Sequence, residues 1–255
     1  MEPNSKTQPI GTVETSLQIV ESLKTDGKQG VTELADALDI PNSTAHSHLN
    51  TLEQNGYLLK DGSKYKLSLR TLEIGEVARN RYDLYEVATP QVDKLAQETG
   101  EIASVMVKEH GLGVFLYRAE GNQTVHLDSY AGYRTHLHTT ALGKAILAHL
   151  DSKTIDNIID KRGLPKRTEN TITDHETLEQ ELERIQQSSI AYDDEERVRG
   201  FRAVATPIID NSGNNVGSIS LAGPTRRLQD EVYREIFPDK VRQASNVIEL
   251  NITHG

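Results

Sequence analysis

VTELADALDI (31–40), PNS (41–43), TAHSHLNTLEQNGYLLK (44–60) and DGSKYKL (61–67) follow one another without interruption, and how they are read decides the fold of the first part of the chain. Thr32 is placed to cap a short helix carrying Leu34, Ala35 and Leu38. Pro41-Asn42 breaks it, with Asn42 as the expected N-cap of a second helix. On that second helix Ala45, Leu49 and Leu52 fall in one arc, at steps of four and three. Successive residues rotate by about 100°, which sends Ser43, Ser47, Asn50 and Gln54 to the opposite face. His46 and Thr51 flank that face, and Thr44 lies near the N-terminus. Between Asn42 and Asn55 the only charged residue is Glu53. A solvated face ordinarily uses Lys and Glu, whereas short uncharged polar side chains suit close approach to base edges in the DNA major groove. Tyr57–Lys60 and Tyr65–Leu67 then read as strands around the turn pair Asp61-Gly62. Lys60, Lys64 and Lys66 give this hairpin a positive character suited to phosphate. The pattern is that of a winged helix-turn-helix; an ordinary solvated helix and a solvated hairpin are the plainer alternatives.

The balance of charge points the other way. The 255 residues carry a formal net charge of −10, and nucleic-acid binders are expected to be basic. Even residues 1–70 hold 7 Lys/Arg against 9 Asp/Glu. Either the motif does not meet DNA, or the host cytoplasm is very salty. High salt removes most of the benefit of phosphate neutralisation, and an acidic surface keeps a protein soluble there. The second reading, a halophilic host, agrees better with the specific helical pattern. There are no cysteines, which excludes disulfides, thiol nucleophiles and Cys-ligated zinc. No apolar run approaches the roughly 18–20 residues that span a bilayer, and the N-terminus lacks the apolar stretch of a signal peptide. A cytoplasmic protein with no membrane partner is expected. The three Asn-x-Ser/Thr sites at Asn42, Asn122 and Asn251 carry no meaning without a secretory route.

Elsewhere, Thr15-Ser16-Leu17-Gln18 matches a capping box, and Val13, Leu17, Val20 and Leu23 follow at helical spacing in a helix ending near Asp26-Gly27. Residues 68–100 read as two helices, Leu69 to Tyr82 and Leu84 to Thr99. Beyond them IASVMVK (102–108), LGVFLYRA (112–119) and VHLDSY (125–130) read as strands. A helix (TTALGKAILAHL), a charged helical pair over about 151–190, two further strands (202–210 and 215–223) and a last helix from about Thr225 to Ile252 complete the chain. Strands grouped together with helices between and after them give an α+β domain.

Three segments carry a resemblance that covers the chain from about Thr12 to Ile252. They are Ser43-Thr44-Ala45-His46; Thr135-His136-Leu137-His138-Thr139-Thr140-Ala141-Leu142-Gly143-Lys144-Ala145; and Tyr192-Asp193-Asp194-Glu195-Glu196-Arg197 with Gly200–Ala205 and Ser218–Pro224. Each is weak alone, but together, in this order and spacing, they resemble the IclR (isocitrate lyase regulator) family of transcription factors. The resemblance implies a winged helix-turn-helix over 10–68, a linker helix over 69–82 and a GAF-like effector-binding domain over 83–252. It implies a homodimer or tetramer that binds operator DNA, represses or activates metabolic genes, and responds to a small organic effector, often a carboxylic acid or an aromatic. Carried over by position, the effector pocket falls at Ala141, Leu142 and Gly143 in the loop opening a helix, Asp193 in an acidic loop, Ala203, Ser220 and Ala222. Helix-opening amides form a natural anion site, and the alanines leave room; plain core alanines are the alternative. DNA contact falls to Ser43, Thr44, His46, Ser47 and Asn50, with Lys64 and Lys66 on the wing. Two departures matter: relatives often carry Arg where this chain has Ser47, and larger or more polar residues at 203 and 222.

Other signals carry less. Gly143-Lys144-Ala145 shares the end of a P-loop but lacks its earlier Gly and its hydroxyl. His126, His136, His138 and Asp128 could approach one another, though scattered histidines are more often ordinary polar residues. Asp193–Glu196 are four consecutive acids, and no serine sits in a nucleophile elbow. No catalytic residue, metal or cofactor is therefore expected. The rivals are a small-molecule-transforming enzyme that dimerises through the winged helix, and a protein-interaction adaptor.

Overall fold

A computed structural model describes residues 9–125 and 127–254. The chain divides into two compact units between Ala78 and Arg79.

The first unit contains α1 (Gly11–Asp26), β1 (Gln29–Gly30), α2 (Val31–Leu38), α3 (Asn42–Gln54), β2 (Leu58–Asp61), β3 (Lys64–Leu67) and all but the last residue of α4 (Arg70–Arg79). The strands form an antiparallel sheet in the order β1-β3-β2. Ile19, Leu23, Leu34, Leu49, Leu58 and Tyr65 make its small core, with Ala35 and Ala45 buried beside them. Ala45 and Leu49 thus face inward, as their spacing requires. The caps differ from expectation. Helix α2 is capped by Gly30 rather than Thr32 and so begins two residues earlier, at Val31, and the Glu33 carboxylate accepts the Gly30 N–H at 2.6 Å. Asn42 lies inside α3, after Pro41 at the cap position. Thr15 and Ser16 lie inside α1, where their hydroxyls donate to the Gly11 and Thr12 carbonyls. The hairpin turn is Gly62-Ser63, one residue later than expected, with Gly62 at φ +65°. A two-residue turn led by glycine adopts this conformation at no steric cost.

The second unit contains α5 (Asp83–Thr99), β4 (Ile102–Glu109), β5 (Leu112–Glu120), β6 (Arg134–Thr135), a 3₁₀ turn (Leu137–Thr139), α6 (Ala141–Leu147), α7 (Ser152–Arg162), α8 (His175–Ser188), β7 (Ala191–Asp194), β8 (Phe201–Ile209), β9 (Asn215–Pro224), a π turn (Val232–Ile236) and α9 (Phe237–His254). Among the described residues the sheet runs β6-β5-β4-β9-β8-β7, antiparallel at every pairing. Side chains alternate between its faces. Ala103, Val105, Val204, Ile219 and Leu221 pack against Ala88, Val92, Val241 and Ile248 of α5 and α9. On the opposite face Met106, Phe115, Ala191 and Ala205 pack against Ala141, Ala145, Leu178 and Leu182 of α6 and α8.

Three elements depart from the sequence reading. Asp193 lies on a strand, β7, rather than in a loop. Residues 127–130 are not in a strand; the Arg118 guanidinium donates to the carbonyls of Leu127 and Ser129 and holds this segment instead. The last helix begins at Phe237, after a turn and the π segment, rather than near Thr225.

Candidate functional site

Helix α3 presents Ser43, His46, Ser47 and Thr51 to solvent, while Thr44 and Asn50 are half-buried. Ser47 and Thr51 donate to the Ser43 and Ser47 carbonyls at 2.9 Å, so their hydroxyls sit close to the helix. Asn50 lies within hydrogen-bond reach of His46, Nδ2 to Nδ1 at 3.2 Å, and the Tyr65 hydroxyl lies 3.5 Å from its Oδ1. Lys64 and Lys66 project from β3, in register with Asp61 and Leu59 of β2. The side chain assigned no role by sequence is His48. It is buried and accepts or donates at 2.8 Å to Ser16, which ties α3 to α1.

In the second unit a cavity of about 40 Å³ opens between the sheet, the start of α6 and the residues joining β7 to β8. That is room for about three waters. Ala141, Leu142, Asp193, Ala203, Ser220 and Ala222 all line it, although they come from four elements. The register explains the convergence. Ile102 pairs with Ala222 and Ser104 with Ser220 across β4–β9, Ala203 with Ala222 across β8–β9, and Asp193 with Ala203 across β7–β8. Residues directly opposite share a face, so one patch of sheet collects them.

Gly143, expected with them, does not line the cavity. Its N–H is taken by the Thr140 hydroxyl at 2.9 Å, the N-cap bond of α6. A Cβ at 143 would collide with the Leu137 carbonyl, so glycine here lets α6 seat on the 3₁₀ turn. Ala141 and Leu142 are the first residues of α6 rather than a loop before it.

Sequence reading missed Ser104, Thr140, Arg197, Val198, Phe201 and Arg202, which complete much of the lining. Arg197 lies over the Phe115 and Tyr133 rings at 5.6 and 5.1 Å, and Arg202 is paired with Asp194 at 2.6 Å. Alternation on β4 could have found Ser104, since it is in phase with Ile102 and Met106. Nothing local marks the two arginines.

Behind the cavity lies a buried charge cluster. Lys144 of α6 is fully buried, with Nζ 2.6 Å from Glu196 Oε1 and 3.2 Å from Glu181 Oε1. Glu196 Oε2 has no partner among the described residues. The Glu196 N–H donates to Asp193 Oδ1 at 2.7 Å, and its carbonyl accepts from Thr171 at 2.6 Å. Burial raises the Asp193 carboxyl to about 7; neighbouring Glu196 pushes the same way, and Lys144 and two backbone N–H donors oppose it. Burial also raises Glu196, against the pull of Lys144.

Among the described residues no group of His, Asp and Glu is placed to hold a metal ion. His136 and His138 stack edge to face at 5.9 Å, and burial lowers His138 to about 4; His126 lies outside the described residues. No described helix is long and apolar enough to cross a membrane.

A winged helix-turn-helix followed by an α+β unit with a cavity at the start of α6 is the plan of a DNA-binding transcriptional regulator. The chain belongs to the IclR family. The IclR helix-turn-helix domain matches residues 12–62, and the C-terminal domain of bacterial IclR transcriptional regulators matches residues 77–250. The "Probable HTH-type transcriptional regulator ArcR" of Halobacterium salinarum is 28% identical over 98% of this chain and 96% of its own length. The crystal structure of the Thermotoga maritima IclR superposes with a TM-score of 0.80 at 27% identity, covering 96% of this chain and 99% of that one. An IclR homologue from Microbacterium hydrocarbonoxydans, solved with 4-hydroxybenzoate, shares the fold with a TM-score of 0.81 at 23% identity, covering 94% of this chain and 98% of that one.

Proposed function

We propose that this regulator reads its operator with Ser43, Thr44, His46, Ser47 and Asn50 in the major groove and with Lys64 and Lys66 on the backbone. A small organic effector carrying a carboxylate occupies the cavity and alters that binding. The observation that carries the sensory half is the convergence of Ala141, Leu142, Asp193, Ala203, Ser220 and Ala222 on one cavity. Ser104 and Ser220 bring hydroxyls to it, and the Ala141 and Leu142 N–H groups and Arg197 bring donors suited to an anion. The complex of the Microbacterium homologue with 4-hydroxybenzoate, a carboxylate, supports the chemical class.

The domain plan that fits this reading is 10–68 for DNA, 69–82 as linker and 83–252 for the effector. Helices α1 and α4 support a homo-oligomer: Val13 and Leu17, and Leu72 and Val77, are more than half exposed, an apolar surface of the kind that a partner subunit covers. The protein acts in the cytoplasm of a halophilic host, without a cofactor and without catalysis of its own. The acidic composition and the Halobacterium relative support the choice of host.

The test is a genomic-fragment pull-down in potassium chloride, repeated with candidate organic acids and with Ser220→Ala. Enrichment of an operator, altered by one acid in the native protein but not in the variant, is expected. Recovery of no fragment overturns the DNA-binding half. A native effector response in Ser220→Ala removes that residue from the site.

A further inference from the structure

Two of the three wing lysines, Lys64 and Lys66, face carboxylates within the unit that carries them. Lys64 Nζ lies 2.8 Å from Glu33 Oε1, Lys28 Nζ lies 2.8 Å from Asp61 Oδ2, and Lys66 Nζ lies 3.9 Å from that same oxygen. Backbone structure holds both carboxylates where they are. The second oxygen of Glu33 caps α2 by accepting the Gly30 N–H, and Gly30 is the register partner of Lys64 across β1–β3. Asp61 is the register partner of Lys64 across β2–β3 and immediately precedes the hairpin turn. The hydrogen bonds from Lys64 and Lys28 hold Glu33 and Asp61 below the usual carboxylate range, so both stay charged.

DNA affinity that is independent of sequence comes from lysines and arginines displacing counterions from phosphates. A lysine already facing a carboxylate must exchange one anion for another, and the carboxylate left behind repels the phosphate. We propose that Glu33 and Asp61 are specificity-determining residues of the DNA interface: they lower the affinity of the wing for phosphate of any sequence and leave operator selection to the short polar side chains of α3. The inference rests on the reading that the wing faces DNA. It also accounts for a DNA-binding unit whose acids outnumber its bases.

The experiment uses the full chain, a fluorescent mixed-sequence duplex that contains no operator, and anisotropy titrations. Glu33→Gln, Asp61→Asn, their double variant, Lys64→Ala/Lys66→Ala and Asp36→Asn are compared. Asp36 is exposed and pairs with no lysine among the described residues, so it reports the effect of net charge alone. Glu33→Gln keeps an acceptor for the Gly30 N–H, and Asp61→Asn keeps a good turn residue before Gly62. Circular dichroism checks the fold, and Asp61→Asn carries the test alone if Glu33→Gln unfolds. Each carboxylate variant is expected to bind about three- to eightfold tighter near 0.1 M KCl, with a log–log salt slope steeper by about 0.9 per lysine released. Asp36→Asn should leave the slope unchanged. If the lysine variant weakens binding while the carboxylate variants leave affinity and slope as they were, the proposal is overturned and the wing interface stands. Equal tightening by Asp36→Asn also overturns it, in favour of net charge. If the lysine variant changes nothing either, the wing does not face DNA and both readings fall.

Discussion

Lys64 and Lys144 make the same contact, an ammonium against a glutamate carboxylate, at 2.8 and 2.6 Å. The first side chain is 40% exposed and the second 1%. In the winged unit, water screens the pair and competes for both ions, so it contributes little to stability and can be exchanged for a phosphate. In the second unit, Lys144 has left water altogether. Removing an ion from water costs several kcal/mol, which only a complete set of partners offsets. That set is uneven: Lys144 meets Glu181 and Glu196, Arg184 pairs with Glu181 alone, and one oxygen of Glu196 is unpaired among the described residues. Burial disfavours the charged form of Asp193 and the neighbouring Glu196 adds to it, which raises this carboxyl to about 7. Identical chemistry is therefore a tuning device at the surface and a structural and titratable one inside.

The contrast is most exposed to failure at Lys144. Lys144→Met should destabilise the unit from residue 79 onward by about 3–5 kcal/mol, because Glu196 is left buried and uncompensated, while Glu181 keeps its pair with Arg184. Urea unfolding followed by circular dichroism reads this, and a loss below about 1 kcal/mol would mean that the cluster relaxes into water as easily as the surface pair does. A smaller effect is expected on the exposed side. Asn50→Ala should cost about 1–3 kcal/mol of discrimination between operator and scrambled DNA while leaving the urea midpoint almost unmoved. Unchanged operator affinity would exclude this face of α3 from the interface.

A further effect is one of pH. The folded value for Asp193 lies above its ordinary 3.8, at about 7, so the folded chain holds this proton more tightly than the unfolded one. Its contribution is fully present below about pH 4 and is lost as the pH rises through about 7. Asp193→Asn, which keeps an acceptor for the Glu196 N–H, should raise the urea midpoint at about pH 8 and not at about pH 4. An equal shift at both values would show that the carboxyl does not titrate there.

Some of this was open to sequence reading and some was not, for separable reasons. Periodicity placed α3 and its inward Ala45 and Leu49, because a helix repeats at a fixed angle whatever surrounds it. On α1 the same signal placed the helix, ending at Asp26, but did not say which of its apolar residues are buried. The stripe Val13–Leu17 is exposed, and Ile19 and Leu23 make the core; spacing finds a stripe but does not say what covers it. Alternation in VHLDSY suggested a strand, yet Arg118 satisfies the carbonyls of Leu127 and Ser129 from its side chain, with no ladder formed among the described residues. Six of the positions that the family resemblance implied line one cavity, and Gly143 does not line it. Arg197, Arg202 and the role of Lys144 escaped, since the partners of Lys144 lie 37 and 52 residues away.

By itself, the sequence determined the two units, their helices and most strands, and the family, because these depend on local propensity, pattern and motif order. Only the tertiary structure decided which charges lie in water and which do not. It turned Lys64 toward Glu33 through the pairing of β1 with β3, and it sank Lys144 between α6, α8 and the end of β7. A charge responds to its surroundings, and strand register and helix packing set those surroundings from residues far apart in the chain.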